Sequence, residues 1–295
     1  MRITESSIAT TFLNNIDKTR ERITQDQAEL ATGKRVLKVS DDPQATNTIL
    51  RLKAFLSNNG QYQKNSAQAQ TQAQAGESAL DNFTDLMVNL KGILAQAANG
   101  SQTSDYQTYS DQIDQLLNNA VGLANTQSNG VYVFAGTNTE QQPFTISADH
   151  STVTANPNGI TGVIQYPINE GVSQIVNLDG QQAFQGTAIF NLMIDVKNNL
   201  QAGLSPTTAQ SASVDAYLTS IASASGKAGA IIQNLNNNDS QLATQQTQLQ
   251  QLLSVQQDSD VAETTIRMNQ DQLELQAALS SGASVLPKTL LDFLH

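Results

Sequence analysis

From Pro43 to about Ala98 the chain carries a nearly uninterrupted helical pattern. Ile49, Leu52 and Leu56, and then Leu80, Phe83, Leu86, Leu90 and Leu94, recur at three- and four-residue spacing. The stretch between them, QYQKNSAQAQTQAQAGESA, is helix-prone but weakly apolar. A helix of this length spans about 80 Å, at 1.5 Å per residue. That predicts a rod and not an element of a globular core. Its start is well marked. Asp42 suits the N-cap, because its carboxylate accepts from free backbone N–H groups. Pro43 suits the first helical position, where its missing N–H is no loss. Asp41 and Asp42 also favour the positive end of the helix dipole.

A second helix is expected from Ser104 to about Gln127, with Asn129-Gly130 stopping it and VYVFAG following as a strand. Between Thr137 and Gly186 the character changes. Pro143, Pro157, Pro167 and several glycines punctuate the β-type runs PFTIS, STVTA, ITGVIQYPI and SQIVNL, a small β insertion. Helical pattern returns with IFNLMIDVKNNL and continues past Ser205-Pro206 to about Gln256, interrupted at Gly226 and Gly229. Asp258 and Asp260 mark a break before the last segment. The expected fold is mainly α with a small β insertion. It is a rod-shaped antiparallel bundle of long helices, with the N- and C-terminal helices paired at one tip and the β domain at the other. Three domains follow: residues 1–42 with 258–295, residues 43–136 with 187–257, and residues 137–186.

The two chain ends lack a core of their own. Ile3, Ile8, Phe12, Ile16, Ile23 and Leu30 form a narrow stripe, and Ile16, Ile23 and Leu30 lie seven apart. The intervening Thr19 and Asp26 are polar, so a stable two-stranded coil is not specified and this helix needs a partner. Gly33 ends it, and Val36, Leu37 and Val39 form an extended link. The last segment offers Leu273, Leu279, Leu286, Leu290, Leu291, Phe293 and Leu294. The two stripes are expected to pack together and to serve assembly. The plainer alternative is an ordinary helix pair within one chain.

Composition excludes several functions. Charged residues are only 14% of the chain and the formal net charge is -11. A general nucleic-acid binder needs clustered Lys and Arg to neutralise phosphate, and a membrane-surface protein needs a basic face. Neither is present, so no nucleic-acid and no membrane partner is expected. Cysteine is absent, and His150 and His295 are the only histidines. Thiol nucleophiles, disulfides and His- or Cys-based metal sites are therefore excluded. Asp41, Asp42, Asp258 and Asp260 read as helix caps or loop residues. Gly226 and Gly229 lack the strand and the Gly-Lys-Ser/Thr ending of a phosphate loop. His150 is expected on the surface. No catalytic residue, metal or cofactor is expected. The first residues lack the apolar stretch of a cleaved secretory signal.

Two stretches carry a resemblance. LATGKRVLKVSDDPQAT, from Leu30 to Thr46, resembles the N-terminal motif of the bacterial flagellin superfamily, and the segment from Asp258 resembles its C-terminal region. NGVYVFAGTNTEQQPF and the terminal TLLDFL are more similar to the hook-associated junction branch of that family than to flagellin. Ala31 and Val39 depart from the Ser and Pro usual in the N-terminal motif. The resemblance implies a structural subunit of the flagellar axial tube, an adaptor ring between the hook side and the filament. It implies contacts with its own copies, with the K-type hook-associated protein and with flagellin. It also implies an export chaperone of the FlgN kind, and extracellular placement without signal cleavage. A short flagellin is the alternative. An enzyme within the β insertion is a remote third.

Overall fold

The computed structural model describes residues 2–99 and 104–285. The helices are α1 (Arg2–Thr32), α2 (Pro43–Asn99), α3 (Ser104–Ala124), α4 (Gly180–Phe184), α5 (Ala188–Gln201), α6 (Thr208–Gln257) and α7 (Val261–Val285). Six short strands lie between α3 and α4: β1 (Gln127–Ser128), β2 (Val131–Tyr132), β3 (Phe144–Ile146), β4 (Val153–Ala155), β5 (Gln165–Asn169) and β6 (Val172–Ile175). The protein is mainly α with a small β insertion. Its described residues form two units, Met1–Asn58 with Gln246–His295, and Asn59–Gln245. The helices α2 and α6 contribute residues to both.

Helix boundaries follow the local chemistry. Asp42 Oδ1 accepts from the Ala45 amide at 2.9 Å, and Pro43 opens α2. Gly33 adopts φ +67° and its amide bonds to the Glu29 carbonyl at 2.8 Å, which closes α1. Asp260 Oδ1 accepts from the amides of Ala262 and Glu263 at 2.9 and 3.1 Å, starting α7. The carboxylates at Asp42 and Asp260 thus cap helices.

The unit Asn59–Gln245 is built around five buried phenylalanines, Phe83, Phe134, Phe144, Phe184 and Phe190. Phe184 is their centre, with ring centroids 4.9 Å from Phe83 and from Phe134 and 5.8 Å from Phe144. Tilted and edge-on stacking suits the ring quadrupoles. Around this cluster, α3 packs on α5 through Ile113, Leu117 and Val121 on one side and Ile189, Met193 and Val196 on the other.

The insertion differs from expectation in detail. It has three separate two-stranded antiparallel pairs, β1–β2, β3–β4 and β5–β6. Helix α3 stops at Ala124 and not at Gln127, and VYVFAG contributes only the two residues of β2. Asn129 and Gly130 take φ +52° and +81°, joining β1 to β2 in a tight hairpin turn. Positive φ at both central residues matches the right-handed twist of the flanking strands. Helix α4, which the periodicity does not announce, is fixed by Asp179. Its carboxylate accepts from Gln182 N at 2.8 Å.

Isolated hairpins are marginal in water, and here neutral amides fasten them. The Asn125 side chain donates to Phe144 O at 2.9 Å and accepts from Phe144 N at 3.0 Å, acting as a short partner strand for β3. Asn177 does the same for the segment before β5, accepting from Ile164 N and donating to Gly162 O, both at 2.8 Å. Asn65 of α2 and Asn238 of α6 donate to the carbonyls of Pro167 and Ile168. The amide-rich composition therefore has a structural use.

Candidate functional site

The unit Met1–Asn58 with Gln246–His295 contains the residues on which assembly is expected to depend. Helix α1 packs antiparallel on α7. On α1, Ile16 and Ile23 are buried, and so are the polar Thr19 and Asp26 in line with them. The two polar positions that spoil a coiled-coil stripe are thus turned inward. On the facing helix, Thr264 and Asp271 are buried.

Two arginine forks set the register. Arg267 donates from Nε to Asp26 Oδ1 and from Nη2 to Glu29 Oε2, both at 2.8 Å. Arg22 donates from Nε to both Asp271 oxygens and from Nη2 to Asp271 Oδ1 and Glu274 Oε2, the last two at 3.0 and 2.9 Å. A step of four along α1, from Arg22 to Asp26, is matched by a step of four back along α7, from Asp271 to Arg267. The side chains of Asp26 and Glu29 are only 4% exposed. Buried carboxylates are costly unless paired in good geometry, and the forked guanidinium supplies that geometry. The bond from Asp26, and behind it the charges of Asp26 and Glu29, raise the Arg267 pKa further.

The link after α1 is wired to the break between α6 and α7. Gly33 O accepts from Ser259 N at 3.0 Å, and Arg35 N donates to Gln257 O at 2.8 Å. Lys34 and Asp258 form an isolated antiparallel bridge. Val36 is buried with Ala45 and Ile49, against Leu253 of α6. The link is less extended than expected, because Asp41 Oδ2 folds it back, accepting from Leu37 N at 3.1 Å and Lys38 N at 2.8 Å. The bond from the Lys38 amide holds the Asp41 carboxyl below its usual range, as the Ala45 amide does for Asp42.

The expected stripe residues divide. Ile16 and Ile23 are buried, and Phe12 and Leu30 are half-buried. Phe12 lies so close to Gly282 that a Cβ there would overlap its ring. Leu273 and Leu279 are 66% and 46% exposed, so their expected packing on the α1 stripe is not made within the chain. Helix phase is the cause, because the seam side of α7 is the face of Thr264, Asp271 and Gly282, and Leu273 and Leu279 lie off it. Ile3 and Ile8 lie in α1, but their side chains are outside the described residues. Leu286, Leu290, Leu291, Phe293 and Leu294 are also outside the described residues. Most of the strongly exposed large apolar side chains among the described residues belong to this unit, including Leu13, Val255, Ile266 and Leu273.

Sequence reasoning missed the forks. Arg22, Asp26 and Glu29 read as a solvated helix face, yet the seven-residue step from Thr19 to Asp26, in line with the apolar stripe, was a usable signal. It also misplaced His150, which is half-buried in the other unit. There its Nδ1 lies 2.7 Å from Asp114 Oδ2, and the buried Lys197 donates to Asp114 Oδ1 at 3.1 Å.

Among the described residues no group of three or more His, Cys, Asp or Glu side chains is arranged to hold a metal. No described helix is long and apolar enough to cross a membrane.

Comparison with known proteins agrees with this architecture. Hook-associated protein 3 of Escherichia coli (strain K12) is 34% identical over 131 residues, 41% of this chain and 41% of that protein. The chain thus aligns with about two fifths of the length of that curated relative. A flagellin of Serratia marcescens is 28% identical over 135 residues, 45% of this chain and 38% of that protein. The solved structure of a putative flagellar hook-associated protein from Vibrio parahaemolyticus has the same fold. It superimposes with a TM-score of 0.63 at 21% identity, covering 74% of this chain and 99% of that one. Residues 3–139 match the bacterial flagellin N-terminal helical region.

Proposed function

We propose that the chain is a structural subunit of the bacterial flagellum, an adaptor ring joining the hook-associated region to the flagellin filament. The observation that carries the reading is the α1–α7 pair. Its inner seam is closed by the arginine forks, and its outer side leaves Ile266, Leu273 and Leu279 exposed. A closed seam with an apolar exterior suits a subunit whose remaining apolar surface is covered by neighbours. The similarity to hook-associated protein 3 supports the junction location in this reading.

In this reading residues 1–42 with 258–295 are the assembly domain, and Gly33, Asp41, Asp42 and Pro43 hold its link. The neighbours are further copies of the chain, the K-type hook-associated protein and flagellin. A chaperone of the FlgN kind holds the C-terminal helix before export without signal cleavage. The reading assigns the chain no catalysis and no cofactor.

The Serratia flagellin match supports a second reading, a short filament subunit. Immunogold electron microscopy separates the two, with an epitope tag inserted at the β5–β6 turn beside Gly171. One band of label where hook meets filament is the expected result. Label along the whole filament would establish the flagellin reading instead.

A further inference from the structure

Outside the assembly unit, one charged cluster ties together elements distant in sequence. The β3–β4 hairpin turn carries His150, at φ +53°. This is a left-handed conformation that is uncommon for non-glycine residues, though histidine is among those that adopt it more readily. The surroundings of His150 are two helices. From α5, Lys197 donates to the His150 carbonyl at 2.7 Å and to Asp114 Oδ1 at 3.1 Å. From α3, Asp114 Oδ2 lies 2.7 Å from His150 Nδ1. Asn118 of α3 also reaches His150 Nδ1, at 3.2 Å, and donates to the Asp114 carbonyl at 3.0 Å. Asp149 of the turn is occupied locally, by the Ser151 amide and hydroxyl.

We infer that Lys197, Asp114 and His150 form an electrostatic clasp that seats this turn on α3 and α5, and that the clasp opens when its one carboxylate loses its charge. In the closed state the Asp114 carboxylate accepts from the His150 Nδ1–H and balances the Lys197 ammonium. The Lys197 side chain is only 6% exposed. Once Asp114 is neutral, that ammonium is left buried with a carbonyl as its principal acceptor. A buried charge without its counter-ion is strongly unfavourable, and the nearest relief is for the turn to lift and admit water. Protonation of His150 acts oppositely, because it adds a second cation to a carboxylate that remains ionised. The clasp therefore stays closed through mild acid and opens in the range where Asp114 itself is protonated.

The test is hydrogen exchange on the full chain at neutral pH, comparing wild type with Asp114→Asn, Lys197→Met and the double variant. The amides of His150, Ser151 and Thr152 report on the turn, since each is bonded within it. Peptides covering Phe83 and Phe190 report on the core. The clasp predicts at least a tenfold faster exchange of the turn in Asp114→Asn, with the core unchanged. It predicts a smaller acceleration in the double variant, where no charge is stranded. Unchanged exchange in both single variants would overturn the clasp. So would equal acceleration of turn and core, because the three residues would then be ordinary stabilisers of the whole unit.

Discussion

Arg22 and Asp271 stand 249 positions apart in the chain, and their charged groups stand 3.0 Å apart in space. With the parallel fork from Arg267 to Asp26 and Glu29, this pair fixes which residues of the two terminal helices face each other. A purely apolar seam with a seven-residue repeat tolerates a slip by one repeat. A seam with two charged forks does not, because a slip strands buried carboxylates.

Arg267→Ala tests that argument. It leaves Asp26 and Glu29 buried without their guanidinium. Because Arg267 is itself 44% exposed, water relieves part of the loss. The expected cost is about 1–3 kcal/mol. Urea unfolding followed by a fluorophore on α7 measures it. Asp149→Asn, in the other unit, serves as the control and leaves that transition unmoved.

Leu273→Asp and Ile16→Asp separate folding from assembly. Leu273 is exposed, so its replacement by Asp is expected to change stability by less than about 0.5 kcal/mol and yet to abolish incorporation into flagella. Ile16 is buried, so its replacement destabilises the helix pair by about 2–4 kcal/mol and also blocks incorporation. The readouts are thermal unfolding of the purified chain and label counts on isolated flagella. Normal motility and label with Leu273→Asp would remove the exposed stripe from the assembly surface.

Acid titration has a defined sign at the β3–β4 turn. Hydrogen bonds from Ser147 and Ser151 lower the Asp149 carboxyl from 3.8 to about 2. A carboxylate with a depressed folded value favours the folded turn fully above its unfolded value. That contribution is lost as pH falls through the folded one. The turn is therefore expected to keep its Asp149 contacts at pH 3.8 and to lose them towards pH 2. Carboxyl carbon shifts in an NMR titration measure this, and Ser151→Ala moves the midpoint upward.

Gly136 and Asp179 test the insertion's frame. Gly136 has φ +62°, and a Cβ there would overlap the Thr161 backbone. Gly136→Ala is expected to cost about 2–3 kcal/mol or more. Asp179→Ala removes the α4 cap and the acceptor of Gly162 N, at about 1–2 kcal/mol. Asp179→Asn keeps most of that. Calorimetry on the three variants gives the order directly.

Long elements were legible because their signals repeat. The run from Pro43, the Asp42-Pro43 start and the stop at Gly33 all rest on local chemistry that needs no distant partner. Short elements were not. Helix α4 is too brief for periodicity, and the β1–β2 hairpin is signalled only by Asn129-Gly130, a pair that also serves to stop a helix. The forks were legible only in part, and the Lys197 cluster not at all, for a different reason. Charge spacing along one helix identifies a polar position but not whether another helix covers it, and Arg22 meets its partner only through the tertiary fold. Leu273 shows the converse. Its apolar character suggested a buried seam, while helix phase places it off that seam.

The pairing of α1 with α7 has a consequence for the order of events. A chain delivered end-first presents α1 at once, but Arg267 and Asp271 follow only after nearly all the rest. Until then Asp26 and Glu29 lack the Arg267 fork, and the half-seam remains hydrated. The unit Asn59–Gln245 has its own core and needs neither terminus to build it. Completion of the terminal pair therefore closes the longest loop in the molecule last, and its entropic cost grows only slowly with loop length. Prior folding of the interior shortens the effective span further. The ionic seam acts in this sense as a check on arrival, since it closes only when both α1 and α7 are present.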